Sequence, residues 1–320
     1  MPGWAHIWTP NGPSLQAAMD VQQFFASGIW INPSPTTRRL GYYRLVGAGA
    51  SGGAGRRGAA NTVRCGGGGG GAGAVVEGWF FTDLLWNGTQ YIRGNFVKNA
   101  ITDVTIGAGG LPVSGATTDN ANGAIGNPGG STTWGSGLAI LTALGGLPGS
   151  GGTASSGAGG AARASSSASG LTVVASLAGA PASTTGLAGL APTASLLPLP
   201  TGGCSGGGIS TTNVPGNGGS SSFVSGGVTN ANNDGLDGES ISLEPNLALK
   251  DPLPTNRGVG YGGGGGAASI GGGGLHTRSG HGGAGSFPGG GGGGAGAVVN
   301  GLTGGNSGAG GEGYAIFIVW

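Results

Sequence analysis

Apolar residues along this chain fall into short runs separated by glycine, and almost nowhere into the three-and-four spacing of an amphipathic helix. The exception is Ser14 to Phe25. There Leu15, Ala18, Met19 and Gln22 share a face with Phe25, and Ser14 stands in a capping position behind Pro13. This spacing predicts one short helix. From Leu40 onward the pattern is that of strands. Tyr42 to Val46 is one β-prone run, and Ala74 to Phe81 is a second, read as interrupted or bulged at Gly78. Asn87-Gly88 marks a tight turn, and further strands are expected at Tyr91 to Val97 and Thr102 to Ile106. The last seven residues, Tyr314 to Trp320, are apolar throughout. A strand of that kind aggregates when exposed, so it is expected inside a sheet or an oligomer interface. Between about 145 and 200 the chain is mostly Ala, Ser, Gly, Thr and Leu. A helix is conceivable over 158–169, although the repeated Gly and Ser argue against long helices.

Composition sharpens this picture. Of 320 residues, 83 are Gly and 17 are Pro, a share that in most chains signals low complexity. Yet 37% of residues are hydrophobic and only 7% are charged, with 12 basic against 11 acidic side chains. Disorder normally couples low hydrophobicity to high net charge, and this chain does the reverse. A net charge of +1 supplies no basic patch for nucleic acid. The opening MPGWAHIWTP has neither a basic n-region nor an apolar h-region, and no run of 18 apolar residues occurs, so neither a secretory signal nor a membrane-spanning helix is expected. Cys65 and Cys204 are too few for a disulfide scaffold and read as two unpaired thiols, with a bond between them left open.

One repeat stands out. Residues 66–78 read GGGGGGAGAVVEG and residues 289–301 read GGGGGGAGAVVNG, one structural device used twice. A hexaglycine run has no side chain to bury and loses much backbone entropy on ordering. Its backbone can be satisfied in a bundle of extended left-handed helices with three residues per turn, because only Gly lets backbones come that close. The rival reading is a flexible tether, but tethers rarely alternate with strands as apolar as AVVEGWFF and YAIFIVW.

Candidate chemistry is thin. Neither Lys98 nor Lys250 follows a glycine run, so a phosphate-binding loop is not indicated. Val46-Gly-Ala-Gly-Ala-Ser-Gly is followed by more glycine where a dinucleotide fold needs a helix. His276 and His281, with Arg278 between them, have no nearby Cys, Asp or Glu to complete a metal shell and read as surface-loop residues. Asp234, Asp237 and Glu239 fit no full calcium loop. No cofactor, metal or catalytic residue is assigned, and the chain does not read as an enzyme.

The motifs taken together resemble a known family. Phe24-Phe25-Ala-Ser-Gly-Ile-Trp30-Ile-Asn-Pro33 leads into Tyr43-Arg-Leu-Val-Gly-Ala-Gly-Ala-Ser-Gly-Gly. With GGGGGGAGAVVEGWFF at 66–81, Asp103-Val-Thr-Ile-Gly-Ala-Gly-Gly110, Gly129-Gly-Ser-Thr-Thr-Trp-Gly135 and the closing Gly311 to Trp320, this resembles the glycine-rich domain of tail fibres and receptor-binding adhesins of tailed bacteriophages. The likeness covers about 24–160 and 258–320. Ile31-Asn32 departs from the usual Thr-Lys, and 161–200 has no counterpart. The resemblance implies a homotrimeric virion component of a tail fibre or tail tip, made in the host cytoplasm. Its partners would be other tail or baseplate proteins and a bacterial surface polysaccharide or outer-membrane receptor. The alternative is a purely structural tail or baseplate part.

The expected fold is therefore all-β, with glycine-rich loops and polyglycine II-type helices packed in a bundle, and a short N-terminal segment with one helix. The expected division is an attachment segment 1–40, a glycine-rich β domain 41–160, an Ala/Ser/Gly-rich and loop region 161–257, and a C-terminal glycine-rich domain 258–320. Binding loops are expected at 119–134, 230–239 and 275–287. Trp134, His276, Arg278 and His281 are the receptor-binding candidates, and Trp4, Trp8, Phe24, Phe25 and Trp30 the candidates for docking onto the tail.

Overall fold

The computed structural model describes residues 19–33, 39–82, 85–86, 91–92, 101–136, 139–155, 173–174, 188–192, 199–221, 225–226, 240–241, 259–271 and 277–320. Among these there is no helix. The strands in chain order are β1 (Asp20–Phe24), β2 (Gly28–Ile31), β3 (Leu40–Val46), β4 (Arg57–Gly58), β5 (Val75–Phe81), β6 (Leu85–Trp86), β7 (Tyr91–Ile92) and β8 (Ile101–Thr105). Then follow β9 (Thr132–Ser136), β10 (Ala139–Ala143), β11 (Val173–Val174), β12 (Ser240–Ile241), β13 (Val259–Gly260), β14 (Val298–Val299) and β15 (Tyr314–Val319). Two open antiparallel sheets carry most of the pairing, one ordered β1-β15-β3-β5-β11 and the other β10-β9-β8-β2. They face each other across an aromatic core of Trp30, Tyr43, Phe80, Trp134 and Phe317, filled in by Leu45, Val76, Val104, Leu141 and Val319. The rings meet edge-on or tilted, with Trp30 and Trp134 centroids 5.2 Å apart and Trp134 and Phe317 4.7 Å apart.

Strand β15 shows why the last residues are so apolar. It lies between β1 and β3, and its side chains alternate between two cores. Ala315, Phe317 and Val319 point into the sandwich, while Tyr314, Ile316 and Ile318 enter a second cluster with Tyr42, Val46, Val75 and Leu199. Both faces and both edges are covered, as the aggregation argument requires.

Two expectations change here. Residues 20–24 form a strand rather than the end of a helix, with Asp20 opposite Val319 and Phe24 opposite Ala315; residues 14–18 lie outside the described ones. Val21 joins the outer cluster and Phe24 the sandwich core. Three residues apart, they point to opposite sides, which a strand allows and a helix does not. Gln22 supplies the polar position that blurred the alternation: it is buried, donating to the Ile31 carbonyl at 2.6 Å and accepting from the Ile31 amide at 3.0 Å, so that it ties β1 to β2. The second change is at Gly78, where pairing with β3 runs on without a bulge, Tyr43 opposite Gly78 and Arg44 opposite Glu77. A Cβ there would lie 2.6 Å from Tyr43 Oη, so the glycine makes room for the ring. The helix conceived over 158–169 and the expected Asn87-Gly88 turn lie outside the described residues, while β6 pairs antiparallel with β7.

The glycine-rich segments are ordered, and each hydrogen-bonds sideways to several others. Segment 289–298 shows the rule. Its amides at 291, 294 and 297 donate to carbonyls 201, 204 and 207, those at 292, 295 and 298 to 50, 53 and 56, and those at 290, 293 and 296 to 286, 283 and 280, all at 2.8–3.1 Å. Its carbonyls accept from 67–73, from 263–269 and from 308–311. Every third residue therefore faces the same neighbour, and residues 289–298 are buried apart from Val299 onward. Segment 65–74 repeats the scheme, its amides at 65, 68, 71 and 74 bonding to carbonyls 153, 150, 147 and 144. In this array a side chain has no room. A Cβ at Gly67 would lie 1.9 Å from Gly53 O, and one at Gly294 2.0 Å from Gly67 O.

These contacts interleave the described segments from distant parts of the chain. Tracts of 41–160 bond to tracts of 258–320 throughout, β1 and β2 from the first 40 residues belong to the two main sheets, and β11 from the middle region adds to β5.

Candidate functional site

The tracts start at the sandwich and end far from it. Segment 47–56 leaves β3 at Val46 and reaches Arg56; 65–74 returns to β5. At about 3.1 Å per residue, nine steps put the far end about 28 Å from the sheets. There the chain turns repeatedly, and the turns carry the polar side chains that the tracts exclude. Among the described residues three non-glycines have positive φ, Asn61 (60°), Asn120 (59°) and Asn213 (58°), and all three lie in these turns. Asparagine is one of the few side chains that tolerates this region.

These asparagines also lock the turns together. Asn61 N donates to Asn213 Oδ1 at 2.8 Å, and Asn213 Nδ2 returns a bond to Asn61 Oδ1 at 2.6 Å. Asn120 N and Asn300 Oδ1, with Asn300 Nδ2 and Asn120 Oδ1, make a second reciprocal pair at 3.1 Å each. The parallel pairing of β4 with β14 sits beneath them, Arg57 opposite Val298.

Charge gathers at the same place. Arg57 meets Asp119 through Nη2 at 2.6 Å and Nε at 2.7 Å. The Gly301 amide, which donates to the same carboxylate at 3.1 Å, and the Arg57 side chain hold Asp119 below its ordinary carboxyl pKa. Arg64 is fully buried, donating to Asn213 Oδ1 at 2.8 Å and at 3.4 Å to the carbonyls of Gly58 and Ser210. Burial and then the nearby Arg56 charge push its pKa down. Arg56 donates to Asn122 Oδ1.

The residues singled out in the sequence are distributed otherwise. Trp134 and Trp30 are fully buried in the sandwich core, so neither indole is presented to a ligand or a docking partner. Phe24 packs edge-on against Phe317 at 5.7 Å, while Phe25, 61% exposed, leans on Phe287 and Tyr314. Arg278 bridges to Thr303 at the level of the tip turns. His281 lies along the side of the array, its Nδ1 accepting from the Asn306 amide at 2.6 Å. His276, Trp4 and Trp8 lie outside the described residues, as does the loop 230–239. The expected loops 119–134 and 275–287 are corrected: their described parts are largely tracts of the array, with Gly123, Gly126 and Gly129 donating to 152, 149 and 146, and carbonyls 280, 283 and 286 accepting from 296, 293 and 290. Glycine-rich sequence reads as loop when its hydrogen-bond partners lie far away in the chain. Asp119 opens the expected loop 119–134, but the tip side chains Arg56, Arg57 and Arg64 were missed; their signal is Gly55-Arg-Arg-Gly58 and the asparagines placed where glycine tracts break off.

Both cysteines are buried and no disulfide joins them, and burial pushes the Cys204 thiol up to about 12. Among the described residues no three metal-ligating side chains gather, and no helix is long and apolar enough to cross a membrane. No protein-family profile matches the chain, and no characterised protein matches it in sequence.

Proposed function

We propose that this protein is a structural virion component of a phage tail fibre or tail tip that mediates attachment to the host cell surface. In this reading the array is a polyglycine II-type bundle that serves as a rigid spacer, and the tip turns are the attachment surface. The observation that carries it is the segregation along the tracts. Carbonyls about 2 Å from a Cβ added at its inner glycines restrict the array to Gly with some Ala, Ser and Cys, and the charged side chains collect in the asparagine-locked turns at its far end. A rigid platform with functional turns at one end is how folds display binding residues. The sandwich end, with the aromatic segment that precedes it in the chain, would dock onto other tail or baseplate proteins, and the assembly would be a homotrimer. The reading assigns no catalysis and no cofactor.

The test is adsorption of purified labelled chain to a panel of bacterial strains, beside a variant whose residues 59–62 and 117–120 are replaced by glycine and serine. Selective binding by the parent and loss in the variant is the expected result. Uniform absence of binding sinks it in favour of the purely structural tail component, a reading favoured by the mutual pairing of Asn61, Asn120, Asn213 and Asn300. Light scattering on the same sample tests the trimer, at three times 30.1 kDa.

A further inference from the structure

Charge is unevenly placed over the described part of the chain. Among the described residues, the sandwich end holds Asp20, Glu77, Asp103 and Glu312 against Arg39 and Arg44. The tip holds Arg56, Arg57 and Arg64 against Asp119 alone, with Arg278 at the same level. Asp119 is taken up by Arg57. This leaves Arg56 and Arg64 with no carboxylate, in mutual range, and bonded only to neutral oxygens of Asn122, Asn213, Gly58 and Ser210.

The two guanidiniums converge. A Cβ built on Gly58 would lie 2.9 Å from Arg64 Cγ and 3.3 Å from Arg56 Nε, so the glycine lets both stems close over it. The Nε–H of each is buried and has no acceptor. Two like charges with unfilled donors in a partly desolvated site are costly unless a counter-charge arrives. Exposed Asn61 and Thr62 rim the pair with amide and hydroxyl groups.

We propose that Arg56, backed by the buried charge of Arg64, is a seat at the tip for the oxyanions of an acidic surface saccharide, phosphate or carboxylate, with the surrounding amides and hydroxyls taking the sugar hydroxyls. Guanidinium forks match both anions in geometry, and bonds to a charged acceptor are about twice as strong as neutral ones. The proposal deepens the attachment reading and rests on it for the source of the anion.

The experiment uses the full chain with three probes: phosphorylated mannan, the same mannan after phosphatase treatment, and inorganic phosphate. Binding is read by surface plasmon resonance, and the site by the arginine Nε–Hε resonances. The phosphorylated mannan is expected to bind about tenfold or more tightly than the dephosphorylated form, in keeping with the strength of charged hydrogen bonds. The Arg56 and Arg64 Hε signals move on binding, and affinity falls as added salt shortens the screening length from about 10 Å to about 3 Å. R56Q should lose about tenfold in affinity, and R56K, which keeps the charge without the fork, should recover part of it. Equal binding of the two mannans, indifference to R56Q in a variant that melts like the parent, or an Arg56 Hε signal unmoved by saturating inorganic phosphate overturns the proposal. The strain panel separates the two readings. Cells bound equally by R56Q remove the anion seat and leave attachment standing. Phosphorylated mannan bound while no strain is bound removes attachment and leaves the seat.

Discussion

Replacing Gly294 by Ala puts a methyl group in the middle of the array, where the demand on glycine is absolute. The added Cβ would lie 2.0 Å from Gly67 O, against a floor of 3.0 Å for real Cβ contacts, so segments 289–298 and 65–74 must part by roughly 1 Å. The bonds across that seam are Gly67 N to Ala295 O at 2.9 Å and Gly70 N to Gly292 O at 2.8 Å, and both would stretch past hydrogen-bonding range. No water reaches these residues, which are fully enclosed. At roughly 1–3 kcal/mol for each buried bond left unmade, G294A should lose about 2–6 kcal/mol, a large part of the roughly 5–15 kcal/mol that holds a domain together. The assay is denaturant unfolding with amide exchange on the same variant. The midpoint should drop, and the Gly67 and Gly70 amides should lose protection before the sandwich amides do. A midpoint and Gly67 protection indistinguishable from the parent would refute the close-approach argument. The neighbouring substitution A295G is the control: it removes a buried methyl without touching the seam, and should cost only about 0.5–1 kcal/mol.

Other outcomes follow from the same structure. Trp134→Ala should cost roughly 3–5 kcal/mol by emptying the middle of the aromatic core, seen as a fall in the unfolding midpoint. Asp119 has its pKa lowered in the folded chain, so its stabilising effect is fully present above the ordinary carboxyl pKa of about 3.9 and fades as pH falls through the lower folded value. Unfolding midpoints of parent and D119N should therefore differ near neutrality and converge in strong acid; a gap that persists there contradicts the assignment. Cys204, with its thiol pKa near 12 and no exposure, should resist a thiol reagent in the native state and react on unfolding, as should buried Cys65; rapid native labelling of either would count against their burial.

How much of this was legible in the sequence depends on where each segment finds its partners. Strands β3, β5 and β15 announced themselves because apolar and aromatic residues sit on both of their faces. β1 did not, since the buried Gln22 sits where alternation wanted an apolar residue, and Leu15, Ala18, Met19 and Phe25 fall by accident at helical spacing. Trp134 looked like an exposed aromatic because its neighbours are Thr, Gly and Ser, and Trp30 because it sits in a short segment next to Ser27-Gly28; the core they fill comes from strands up to almost 300 residues away. The array itself had a readable sign that composition alone obscured: glycines at 123, 126 and 129, at 146, 149 and 152, and at 305, 308 and 311 recur at every third position. Of the tip, only the start of the expected loop 119–134 was legible. The tip's arginines and asparagines are scattered over nearly 250 residues of chain and meet only because the tracts are of matched length.

The repeated segments 66–78 and 289–301 run antiparallel and bond directly to each other, so the same AVV sequence ends in the sandwich in one copy and beneath the tip in the other. Nothing inside a tract distinguishes one triplet from the next; alignment is set at the ends, by strands on one side and asparagine pairs on the other. Length is thereby a free variable in steps of three. Inserting one triplet into every tract would preserve each facing relationship and carry the tip outward by about 9 Å, whereas inserting one or two residues would turn glycine away from its neighbour and admit a side chain in its place. Such a body can be made taller or shorter without redesign of either end, as a column is raised by adding identical courses of brick.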